Sequence, residues 1–91
     1  MYIQSVDNQI KEEMKSEYIH AAKEFAKDSM ENDEGCLGVE VLEDTSRPDH
    51  IFIVSRWDTS EHMENAKAFL RNKADLKPAF CGNTTTVMMT V

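Results

Sequence analysis

Ile3, Val6 and Ile10 stand apart among polar residues at the start of the chain, an imperfect strand pattern over residues 2–10. Met14, Tyr18, Ala22, Phe25, Ala26 and the pair Ser29/Met30 then recur at helical spacing. This predicts a helix over residues 16–31 with Ser16 as its N-cap. The run Asn-Asp-Glu-Gly at 32–35 ends it, and Gly35 supplies the positive φ that a tight exit needs. From Cys36 to Glu43 the chain alternates, with Leu37, Val39 and Val41 on one face and Cys36, Gly38, Glu40 and Leu42 on the other. The turn formers of residues 44–49, with Pro48 among them, predict a hairpin loop.

Residues 51–57 read as a second strand, with faces Ile51, Ile53, Ser55, Trp57 and Phe52, Val54, Arg56. Asp58 to Glu61 has the spacing of a capping box, and Met63, Ala66, Phe69 and Leu70 continue at helical spacing. A second helical region is expected over 59–76, broken near 68–70 and ended at Lys77 by Pro78. Residues 80–83 read as loop and 84–91 as a last strand.

The order β-α-β-β-α-β is that of the α+β, ferredoxin-like fold, with both helices on one face of a four-stranded antiparallel sheet. The strand at 51–57 is apolar on both of its faces, whereas a sheet covered on one side should be polar on the other. A second copy packed sheet to sheet is the simplest cover, so a homodimer is expected.

At 91 residues and 10.4 kDa the chain makes a single domain over residues 1–91. The net charge of −7, with scattered basic residues, argues against nucleic acid or a membrane surface as partner. The N-terminus lacks the basic start and apolar run of a signal peptide, and two cysteines make a poor secreted framework. A cytoplasmic protein with reduced Cys36 and Cys81 is expected.

Residues 35–42, Gly-Cys-Leu-Gly-Val-Glu-Val-Leu, an Asp-rich turn, and Ile51 to Met63 with the run Arg56-Trp57-Asp58 resemble the central block of the antibiotic biosynthesis monooxygenase family. The resemblance covers roughly residues 33–66 and implies a dimeric α+β barrel. It implies oxidation of a small quinol or aromatic phenol by molecular oxygen, with no metal or flavin. The protein's part is then an apolar pocket, a few polar groups for the substrate oxygen, and exclusion of water. The other reading is a non-catalytic dimeric module that binds a small molecule, haem included.

Carried over by position, the resemblance is partial. The strand-closing Trp of anthrone-oxidising members corresponds to Trp57, whereas their Asn and Tyr fall on Ile53 and Met63. The His of quinol-oxidising relatives falls on Ala66, one helical turn after His62. The first-strand Asn of a haem-degrading branch matches Asn8, but the Trp and the ligating His of that branch fall on Ala66 and Leu76, so haem degradation is not expected. The candidate catalytic residues are therefore Asn8 for the substrate oxygen, Trp57 as an aromatic wall and His62 as proton acceptor, with Phe25 and Phe69 binding substrate.

Each has a plainer reading: a strand-end amide, a core anchor, a solvated helix position and ordinary packing. Arg56 is expected to pair with Glu40 across strands, Met88 and Met89 to fill the core or a dimer interface, and Cys36 to be buried. His20 and His50 read as exposed.

Overall fold

The computed structural model describes residues 1–72 and 80–91. Strands β1 (Tyr2–Ile10), β2 (Cys36–Glu43), β3 (His50–Trp57) and β4 (Phe80–Met89) form one sheet in the order β2-β3-β1-β4, with every neighbouring pair antiparallel. Helices α1 (Lys15–Asn32), α2 (Ser60–Glu64) and α3 (Ala68–Arg71) complete the split βαβ arrangement. Among the described residues no helix is long and apolar enough to cross a membrane.

Cross-strand pairing fixes the two faces of the sheet. Asn8 lies opposite Ile51, Val6 opposite Ile53 and Gln4 opposite Ser55, and these residues share the helix-covered face. Tyr18, Ala22, Ala26 and Ser29 of α1 are buried at the recurrence a helix face requires. Ile10, Tyr18, Ala22 and Ile51, each at most 2% exposed, form the core, with Met14, Ile19, Val41 and Ile53 packed around them. On the other face Ile3, Phe52 and Val54 are half-buried, Leu42 and Met88 are exposed, and Arg56 pairs with Glu40 as expected.

Several local expectations change. Ser16 does not cap α1: a 3-10 turn at Glu12–Met14 leads into the helix, and backbone bonds replace a side-chain cap. A register shift between Cys36 and Gly38 puts Cys36 opposite Trp57 and leaves Leu37 59% exposed. A bulge at the strand start breaks the simple alternation and turns half-buried Cys36 toward the helices. β4 begins at Phe80, where a loop was expected, because β1 extends to Ile10 and pairs with it there. Met88 and Met89 are exposed in the single chain, so they are not core. His50 is half-buried, its Nδ1 lying 2.8 Å from Asp7 Oδ1.

The second helical region is split at 65–67, not at 68–70, and its expected end at 73–78 lies outside the described residues. Thr59, not Asp58, caps α2, its Oγ1 accepting from the His62 backbone N–H at 3.1 Å. The cap of α3 comes from the far side of the chain. The Asp33 carboxylate accepts the Lys67 and Ala68 backbone N–H groups at 3.0 and 3.2 Å and the Ser29 hydroxyl at 3.0 Å, and pairs with Arg71 at 3.0 Å. Burial pushes its carboxyl up, but the Lys67 N–H, Arg71 and Ser29 outweigh that and hold it below the usual carboxylate range.

Candidate active site

Between the helices and the sheet lies a cavity of about 270 Å³. Its position follows from side-chain size. Around Ile10 and Ile51 the interface is filled by branched and aromatic side chains, whereas from Asn8, directly across from Ile51, toward Ser55 on the sheet and Ser29 on the helix the polar side chains are less bulky. Small polar side chains leave space that close packing would otherwise remove. Trp57, Phe25 and Met63 form much of the apolar lining, and Phe69, 58% exposed, stands where the cavity meets solvent.

Asn8, Ser29 and Ser55 are buried polar residues, and all three line this cavity. Ser29 donates to Asp33, and Ser55 accepts the Trp57 indole N–H at 2.9 Å, which fixes the indole plane and leaves the Ser55 proton to donate. Asn8 is different. Its residue is 2% exposed, its Nδ2 reaches only the Val6 carbonyl at 3.5 Å, and its Oδ1 has no hydrogen-bond partner among the described residues. A buried acceptor left in this way costs about 1–3 kcal/mol, so it calls for a ligand or another explanation.

Tyr18 also lines the cavity, and burial pushes its phenol up to about 12, so it stays protonated at neutral pH. Gln4 and Asn83 add two further amides from β1 and β4. No charged side chain is among the described lining residues.

Of the five residues expected to make a site, the structure brings Asn8, Trp57, Phe25 and Phe69 to one cavity. It leaves His62 out. The His62 ring faces a separate surface depression with Glu34 and Lys67, with Nδ1 2.6 Å from Asp58 Oδ1 and Nε2 3.7 Å from Glu34 Oε1. The Asp58 hydrogen bond raises its pKa above the usual imidazole value, against an opposing effect of burial. The expectation failed because α2 ends at Glu64, so the helical repeat linking His62 to Ala66 does not hold. Ala66 reaches the cavity and His62 does not.

Sequence reasoning missed Gln4, Ser29, Ser55 and Asn83 as lining residues. Ser55 carried a signal, being the polar member of an otherwise apolar strand face, and Ser29 another, since it sits in the apolar stripe of the helix. Asn83 gave none, its neighbours reading as loop.

The sequence profile of the antibiotic biosynthesis monooxygenase family matches residues 1–69, a span that holds the cavity's two serines, its tryptophan and Asn8. The chain belongs to this family. Solved structures agree in fold. A proposed antibiotic biosynthesis monooxygenase from Nitrosomonas europaea superposes with a TM-score of 0.88 at 13% identity, covering 100% of this chain and 99% of that one. A structure described as an antibiotic biosynthesis monooxygenase gives 0.83 at 17% identity with 100% and 99% coverage. A conserved protein from Methanosarcina mazei Go1 gives 0.85 at 17% identity with 100% and 94% coverage. Identities this low speak for the fold alone. No curated protein matches the chain by sequence.

Proposed function

We propose that the protein is a cofactor-independent monooxygenase that oxidises a small quinol or aromatic phenol with molecular oxygen in the cavity between sheet and helices. The observation that carries this reading is the buried Asn8 Oδ1, without a hydrogen-bond partner among the described residues, in a largely apolar cavity within the family-matched region. A space of about 270 Å³ serves binding and turnover alike, and the family match favours turnover.

The reaction converts a ring C–H of a phenol to a quinone carbonyl. One oxygen atom enters the product, the other leaves as water, and the substrate supplies all four electrons. The Asn8 amide holds the substrate oxygen. Its Oδ1 accepts from the hydroxyl before it ionises, and its Nδ2, engaged only at 3.5 Å by the Val6 carbonyl, donates to the phenolate afterwards. Trp57 supplies the flat wall. Phe25 and Phe69 keep water from the reacting carbon. No described lining residue titrates near neutral pH, so the phenolic proton passes to water. The rate should then rise with pH along the substrate's own phenol ionisation and show no enzyme group near pH 7.

The same reading includes a homodimer in which a second copy covers the open sheet face carrying Leu42, Phe52, Val54 and Met88. Sedimentation should give about twice the 10.4 kDa chain mass. Phe52→Asp should split or unfold the dimer, because a charge would be buried unpaired. The free thiols of Cys36 and Cys81 fit a reducing, cytoplasmic setting.

The decisive experiment is oxygen uptake by metal-free and flavin-free protein against a panel of quinols and anthrones. Uptake that falls on the order of 10²-fold in Asn8→Ala supports the reading. Absence of uptake across the panel, or full rates in both Asn8→Ala and Trp57→Phe, contradicts it.

A further inference from the structure

The amides of the cavity are not spread evenly around it. Asn8 and Asn83 are direct cross-strand partners of β1 and β4, and both line the cavity. Opposed residues on one face of an antiparallel pair place their Cβ atoms about 4.5–5.5 Å apart, so the two side chains leave the sheet as neighbours on the β1–β4 side of the space. Neither side chain is used up by the fold. Asn8 Oδ1 is buried with no hydrogen-bond partner among the described residues, and the exposed Asn83 side chain makes no hydrogen bond to a described residue. Aromatic side chains, Phe25, Trp57 and Phe69, supply much of the remaining wall.

Size and charge narrow the occupant further. A cavity of roughly 150 Å³ holds one benzene, and sites for drug-sized ligands begin near 300 Å³. About 270 Å³ therefore takes one or two rings, not three or four. With no charged side chain among the described lining residues and a chain of net charge −7, a carboxylate or phosphate on the ligand would be desolvated without compensation.

We infer that the ligand of this site is a one- or two-ring aromatic without permanent charge that carries two oxygens on the same edge, one held by Asn8 and the other by Asn83. This rests on the monooxygenase reading for its biological sense and makes Asn83 the specificity-determining residue. A para-diol presents its oxygens at opposite ends of the ring and can engage only one of the two amides.

Calorimetric titration under argon reads binding without turnover. The probes are 2,3-dihydroxynaphthalene, 1,4-dihydroxynaphthalene, 2-naphthol and 3-hydroxy-2-naphthoate. The vicinal diol should bind roughly 3- to 10-fold more tightly than 2-naphthol, the value of one added hydrogen bond. The para-diol should match 2-naphthol, and the carboxylate should bind at least about tenfold more weakly than the vicinal diol. Asn83→Ala lies on an exposed edge strand, so it should fold normally. It should erase the preference for the vicinal diol while leaving 2-naphthol within about twofold. Equal binding of diol and naphthol by the unaltered protein overturns the inference. So does an equal loss for both in Asn83→Ala, tightest binding of the carboxylate, or no binding of any probe. Oxygen uptake retained without diol selectivity would sink this inference alone. Selective binding without uptake on any substrate would sink the monooxygenase reading and leave the ligand class standing.

Discussion

On the helix-covered sheet face, Ile10, Tyr18, Ala22 and Ile51 interlock until none is more than 2% exposed. Next to this cluster, beginning at Asn8 across from Ile51, the equally buried Asn8 and Ser29 together with Ser55 border about 270 Å³ of space. Both regions use the same helix and the same central strands, β1 and β3. What differs is side-chain chemistry. Apolar volume closes the first region and stabilises the fold, whereas short polar side chains hold the second open at some cost in stability. Tyr18 belongs to both regions.

The comparison breaks most visibly in the closed half. Ile51→Ala should remove about 2–5 kcal/mol of stability, seen as a lower denaturation midpoint, because the packed neighbours cannot collapse fully onto the gap. Ligand affinity should fall far less than in Asn8→Ala, since Ile51 is the cross-strand neighbour of Asn8 but does not line the cavity. A stability loss under about 1 kcal/mol would mean that the two halves are not packed as differently as described.

Much of this division was legible in the sequence, and the illegible parts share a physical cause. Tyr18, Ala22 and Ile51 were marked by local periodicity, which packing obeys directly. The positive φ of Gly35, observed at 79°, was legible because a turn residue acts within its own neighbourhood. The cap of α3 was not, because Asp33 reaches it from 34 residues away. The start of β4 was hidden because Gly82 and Asn83 favour turns locally, and pairing with β1 overrode that preference. Asn8 was picked out by resemblance alone, since nothing local separates a ligand-facing amide from one that ends a strand.

Further perturbations sharpen the contrast at the cavity end. Asp33→Ala removes the cap of α3, the segment carrying Ala68 and Phe69, and should cost roughly 1–3 kcal/mol. It should also weaken ligand binding by loosening the cavity wall. Because the folded-state pKa of Asp33 is depressed, its contribution is present above the ordinary carboxylate pKa and fades as pH falls below it. The unaltered protein should therefore lose stability below about pH 4 more steeply than the variant, as read by denaturant midpoints across pH.

Gly35→Ala combines a left-handed backbone with a methyl group that meets Asp58 and His62. It should cost about 1–2 kcal/mol from the backbone alone. The smallest effect is expected at His62, which lies outside the cavity: His62→Ala should leave oxygen uptake within about twofold, well short of the loss that removing a general base produces. Its pKa is raised in the folded state, so its pairing with Asp58 stabilises below the ordinary imidazole pKa and is lost as pH rises through the raised value. His62→Ala should accordingly flatten the stability profile above pH 6.5 without touching the rate.

The claim that joins these regions is that the open half gives up stability to keep a buried acceptor for a ligand. Asn8→Leu tests it directly, read by denaturant midpoint and by oxygen uptake on the same sample. The account predicts a midpoint equal to or above that of the unaltered protein, with uptake lower by about 10²-fold. A variant destabilised by more than about 1 kcal/mol with uptake intact would mean that Asn8 serves the fold and not the ligand.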